Sequence, residues 1–283
     1  MTECKQRTFP VVLVVGVLLA GIQSAGCAPD ISDTDFYSRH PDPVDAQPTG
    51  PVLLEKKAAS GVALAVLRND QVHAGYNELI LRAATEGTDE PIVGVSFDVV
   101  ASTVIDGATY VSPIIDDASP SDAAGEVTLG ILFLQPRGSG QSWRIDVSTT
   151  IDGAPISFPF DIVVRDSLTV QPFVGAGGQS FFAAWIEPIA PKTGEGPLEL
   201  AVYRDTGSAF DPVENASIDL YPYMDMGGGD GHSTPFTKPT HTSVGRYAGT
   251  INFIMSGGWD LTAYLTIGAA PADTVVFKGF TVH

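Results

Sequence analysis

The sequence predicts an all-β chain built as two tandem β-sandwich domains, and three observations carry that reading. Short alternating apolar and polar runs recur, among them Val95-Ser96-Phe97-Asp98-Val99, Ile145-Asp146-Val147, Ala216-Ser217-Ile218-Asp219-Leu220 and Tyr264-Leu265-Thr266-Ile267. This is the pattern of half-buried strands. Gly, Pro, Asp and Asn punctuate the runs at short intervals, and after the N-terminal segment no stretch keeps a helical apolar period with caps. Finally, the chain repeats itself once.

The repeat pairs Glu78-Leu79 with Glu199-Leu200, and Pro91-Ile92, Ser96 and Asp98 with Pro212-Val213, Ser217 and Asp219. Ser112-Pro113 resembles Thr234-Pro235. Gly125-Glu126-Val127 and Gly130-Ile131-Leu132-Phe133 match Gly245-Arg246-Tyr247 and Thr250-Ile251-Asn252-Phe253. Trp143, Ile145 and Pro155 match Trp259, Leu261 and Pro271. The offset drifts from 121 to 120 to 116 residues, the last step fitting a four-residue insertion within 136–142. One long-period repeat implies two copies of one domain. The first is expected over 59–166 and the second over 182–283. Residues 167–181, with Gly175 to Gly178, are expected to be a hinge.

The N-terminus is expected to be removed. Lys5 and Arg7 precede an apolar run, Pro10 to Ile22, that is too short for a permanent membrane span. The run ends in Ser24-Ala25-Gly26-Cys27, which resembles the lipobox of bacterial lipoproteins. The resemblance implies a signal peptide over 1–26 and acylation of Cys27, anchoring the chain in a membrane. Ala28, rather than Asp, after the cysteine favours the outer membrane by the same resemblance. Residues 27–58, rich in Asp and Pro, read as a flexible tether.

Only Cys4 and Cys27 occur, so the body has no thiol or disulfide to rely on and needs a packed core. Without the signal, 13 basic residues face 32 acidic ones, a net charge of −19. That balance argues against a nucleic-acid partner. The expected partners are the membrane, through the anchor, and a protein of the cell envelope.

Candidate chemistry lies in the second copy. Met224, Met226 and Met255 are all of the methionines besides the initiator, and His232 and His241 lie among them. Thioethers and imidazole suit Cu(I). The first copy has Thr103, Ile105, Val111 and Gln135 at the positions expected to match Met224, Met226, His232 and Met255. The alternative is that the methionines fill the core, since Met224 and Met226 share strand parity with Ile218 and Leu220. No Ser-His-Asp signature, zinc-protease motif, phosphate loop or dinucleotide fingerprint is present, so a catalytic role is not expected. Asp116, Asp117 and Asp122 read as a solvated acidic turn without calcium-loop spacing. Trp143, Trp259 and Tyr247 read as core aromatics.

The second copy also resembles the YtkA-like and FixH-like domains of exported bacterial proteins. The residues concerned are Phe182-Ala183-Ala184-Trp185-Ile186-Glu187-Pro188, Met224-Asp225-Met226 with Gly231-His232-Ser233, and Gly245-Arg246-Tyr247 through Phe253-Ile254-Met255-Ser256-Gly257-Gly258-Trp259. Here the methionines stand one residue closer than in the family's Met-x-x-Met-Gly-His-Gly stretch. The resemblance implies an immunoglobulin-like sandwich outside the cytoplasm and a link to copper. Two functions follow as expectations: a non-catalytic lipoprotein binding copper for chaperoning or sequestration, with Met224, Met226, His232, Met255 and His241 as ligands, or a structural or protein-interaction module without metal.

Overall fold

The computed structural model describes residues 50–283 except 117–118, 135–140, 176, 229 and 269–272. The expected signal, the lipidation site Cys27, Asp117 and Gln135 lie outside the described residues. The described residues lie in one compact unit. Among the described residues there is no helix.

The first sandwich contains β1 (Val52–Ala59), β2 (Val62–Arg68), β3 (Gly75–Thr85), β4 (Asp98–Ile105), β5 (Ala108–Val111), β6 (Ile114–Asp116), β7 (Glu126–Phe133), β8 (Gln141–Ile151) and β9 (Ala154–Val164). One sheet runs β1-β2-β3-β7-β6 and the other β5-β4-β8-β9. The second sandwich contains β10 (Val170–Val174), β11 (Ser180–Glu187), β12 (Gly194–Asp205), β13 (Phe210–Pro212), β14 (Ala216–Gly227), β15 (Asp230–His232), β16 (Thr240–Ser243), β17 (Arg246–Phe253), β18 (Gly257–Ile267) and β19 (Asp273–Val282). Its sheets run β10-β11-β12-β17-β16, with β13 on β12, and β15-β14-β18-β19. Every paired strand in both sandwiches is antiparallel.

The internal repeat is visible bond by bond. Asp98 lies opposite Ser148 and Asp219 opposite Tyr264, so β4·β8 and β14·β18 share one register at the offsets expected from sequence. Ile92 N donates to Ala83 O, and Val213 N to Val202 O. Ser112 and Thr234 are both buried, and their hydroxyls donate to the carbonyls of Leu132 and Asn252. Gly125 and Gly245 both hold positive φ, 72° and 75°. A Cβ on either would strike a carbonyl, that of Ala83 at 2.4 Å or Val202 at 2.7 Å. Only glycine fits both the conformation and the space. In each core a phenylalanine meets a tryptophan across the sandwich: Phe133 and Trp143 at 5.2 Å, Phe253 and Trp259 at 5.5 Å between ring centroids.

Three expectations need correction. The tether was expected to reach residue 58, but Val52–Ala59 is an edge strand paired along β2. The expected hinge over 167–181 contains β10, and Gly175, Gly177 and Gly178 lie in the hairpin turn to β11, where Gly175 N donates to Gln179 O. Glu78-Leu79 does not correspond to Glu199-Leu200. Leu81 faces Val127 as Leu200 faces Tyr247, so the true correspondence is displaced by two residues with parity kept.

Candidate functional site

The methionine-rich edge forms where β14 outlasts its partner β18 and turns back as β15. Met224 is 5% exposed and belongs to the second core. Its methyl lies so close to Gly257 that a Cβ there would sit 2.6 Å away. His232 lies directly opposite Met224 in the β14·β15 ladder, so the two share a face, and His232 is exposed. Met226 falls at a register shift between Asp225 and Gly227. Such a bulge re-aims its side chain, and Met226 is 50% exposed, unlike its parity mates Ile218 and Leu220. Met255 follows β17, half-exposed, and its carbonyl accepts the Trp259 indole N–H at 3.1 Å. His241 lies on β16 in the opposite sheet, its ring 5.4 Å from that of Tyr247. Met224 and His232 are thus brought together in register, and His241 lies on a strand of the other sheet.

The first sandwich shows what the same positions do without soft ligands. Thr103 lies opposite Tyr110 as Met224 lies opposite His232. His232 therefore corresponds to Tyr110, not to Val111 as the sequence offset suggested. Tyr110 is buried, and its ring lies 5.2 Å from that of Phe210 in the second sandwich.

That contact belongs to a junction that sequence reasoning missed. Phe182, Ala184, Ile186, Ala201, Tyr203 and Phe210 turn away from their own core and join the core cluster of the first sandwich. The available signal was the unbroken apolar run Phe181 to Ile186, which is how a strand covered on both faces reads. Beside this apolar patch Arg246 spans the two bodies. Its guanidinium donates to both oxygens of Glu199, at 2.6 and 3.0 Å, and to Ile115 O and Asp116 Oδ1, at 3.0 and 2.9 Å. These carboxylates push the Arg246 pKa up further, so its charge is permanent. Asp116 also accepts the Tyr76 hydroxyl at 3.1 Å. Asp122 instead accepts the backbone N–H groups of Ala124 and Glu126, which makes it a turn-forming residue.

The junction carries a pH dependence. Burial pushes the Tyr203 phenol up to about 12; unfolded, it would titrate near about 10. The unfolded chain thus loses this proton first as pH rises. Stability from Tyr203 is whole below pH about 10 and is lost between there and about 12. Burial pushes Tyr76 and Tyr110 upward too, helped by Asp116 and by Asp205 respectively. Urea unfolding at pH 8 and pH 11 should show a marked alkaline loss that Tyr203→Phe makes shallower. An equal loss in the variant would refute this.

No protein-family model matches the chain, and no curated protein does. Among solved structures it is similar to the Escherichia coli adhesin FdeC, at 14% identity over 82% of this chain and 66% of that one, TM-score 0.25. It is similar to domains 5–6 of the S-layer protein SbsC, at 12% identity over 82% and 98%, TM-score 0.31. It is also similar to the Yersinia pseudotuberculosis adhesin InvE, at 12% identity over 78% and 59%, TM-score 0.28. The chain thus spans under two thirds of the FdeC and InvE chains. All of these are likenesses of strand arrangement at low identity. The fold itself is two immunoglobulin-like β-sandwiches in tandem.

Proposed function

We propose that this chain is a non-catalytic, extracytoplasmic interaction module of the cell envelope, carried by lipid on Cys27. The observation behind this reading is the junction: one apolar cluster continues from the first sandwich onto the outer face of the second, with Arg246 across it. Two sandwiches locked in that way make a stiff body suited to presenting a surface at a fixed distance. The N-terminal sequence supports export and anchoring, and Ala28 supports the outer membrane. In calorimetry of the full-length protein the two sandwiches should melt in one transition, and Phe210→Ala should separate them into two. Two independent transitions in the unaltered protein would overturn the reading.

Copper binding is a second reading, favoured by the Met224–His232 cross-strand pair and by the resemblance to YtkA-like domains. Met224, His232 and Met255 are then the ligands, with Met226 able to join from the bulge. Met224→Leu keeps the side-chain volume, so folding should be nearly unaffected. Under reducing conditions, Cu(I) should bind with a stoichiometry near one, and both Met224→Leu and His232→Ala should weaken it at least about tenfold. Unchanged affinity in both variants would leave Met224 as packing alone.

A further inference from the structure

The two copies differ at one mouth of the sandwich. In the second, the mouth beside β11 and β19 is filled by Trp185, whose ring lies 5.9 Å from that of Phe277 and 4.7 Å from that of Phe280. Register carries these positions onto the first copy. Val66 faces Leu81 as Trp185 faces Leu200, so Val66 occupies the tryptophan position. Ile145 faces Phe160 as Leu261 faces Phe277, and Trp143 faces Ile162 as Trp259 faces Phe280. An indole has become an isopropyl group and one phenyl ring a branched aliphatic chain. Over this mouth lies a cleft of about 610 Å³, with Leu54, Val66, Phe160 and Ile162 in its wall; Val66 and Phe160 are fully buried, so the cleft rests on them without entering the core. This is the size range of small-molecule sites.

Two cations stand in the same wall. Arg68 and Arg165 both line the cavity. Of the six arginines among the described residues, Arg82, Arg144, Arg204 and Arg246 are paired with carboxylates. Arg68 and Arg165 have no ion pair or side-chain hydrogen bond. The backbone of Arg165 is fixed, donating to Val72 O and accepting from Ala74 N. Glu55 also lines the cavity but pairs with Lys57 at 3.2 Å. Asp161 lines it as well, exposed between the inward residues Phe160 and Ile162. The chain as a whole is strongly acidic, at −18. Screening over about 8 Å in physiological salt leaves the local groups to act on a ligand, the unpaired Arg68 and Arg165 against Asp161, with Glu55 held by Lys57.

We propose that this cleft binds a small anionic ligand with an aromatic or aliphatic body. The body lies in the cleft over Leu54 and the buried mouth residues, and its carboxylate or phosphate lies against Arg68 and Arg165. Guanidinium forks recognise either headgroup by charge-assisted hydrogen bonds.

Indole-3-propionate and phenyl phosphate are suitable probes, titrated calorimetrically into the full-length protein, with indole-3-propionamide as the uncharged control. At least one anion should bind saturably, and their relative affinity separates carboxylate from phosphate recognition. The amide should bind about tenfold more weakly or less. Arg68→Gln and Arg165→Gln should each weaken the anion by about tenfold, the loss of one charged partner. Absence of binding by both anions, equal binding of the amide, or unchanged affinity in both arginine variants would overturn the proposal.

Discussion

Trp259→Ala is expected to destabilise the protein by about 3–5 kcal/mol, the range for emptying a large aromatic site in a core. Trp259 is 1% exposed, lies edge-on to Phe253, and ties its indole N–H to the Met255 carbonyl. Truncation leaves a cavity between the two sheets and an acceptor without its donor. Because Trp143 occupies the corresponding place against Phe133, Trp143→Ala should cost a similar amount. Denaturant titration should show lower midpoints with little change in slope. A loss under about 1 kcal/mol for either would mean that the rings do not hold the sandwiches together.

Arg246→Met is the other substitution expected to have a large effect, about 2–3 kcal/mol. Removing one partner from a largely buried ion pair strands the others; here the side chain keeps 19% exposure, so the figure lies below the fully buried range. Glu199, at 14%, loses both of its hydrogen bonds to the guanidinium, and Asp116 is left with Tyr76. The effect should also extend beyond Arg246 itself. Asp116→Asn in the Arg246→Met background should be nearly silent, while alone it should destabilise, giving a coupling energy of about 1 kcal/mol in a double-mutant cycle. Additive effects would show that the link across the junction contributes nothing to stability.

The duplication was legible because its markers are residues with no substitute. Gly125 and Gly245 meet a carbonyl that any Cβ would strike, and Ser112 and Thr234 use a hydroxyl that an apolar residue lacks. Strand parity was legible too, since it follows from alternation alone. Register was not: sliding β3 by two residues keeps every side chain on its face, so Glu78-Leu79 could be aligned with Glu199-Leu200 while the hydrogen bonds are formed elsewhere. Strand β1 was hidden by Glu55, Lys56 and Lys57, charges that edge strands commonly carry against unwanted pairing. At the candidate copper edge, parity placed Met224 and Met226 together, and a bulge separated them. The Arg68–Arg165 cleft lay beyond sequence reading because its members come from strands far apart in the chain.

The front-to-back joint also bears on how such an array could lengthen. The first sandwich meets the second through Tyr110, and Leu132, on the face it shares with Tyr76, belongs to the same apolar cluster. The matching residues of the second sandwich are His232, exposed, and Asn252, half-buried. A further copy of the same design would find no greasy socket there. Adding one by gene duplication would yield a loose bead on a string until those two positions turned apolar. Stiffness in this architecture is therefore a property inherited joint by joint.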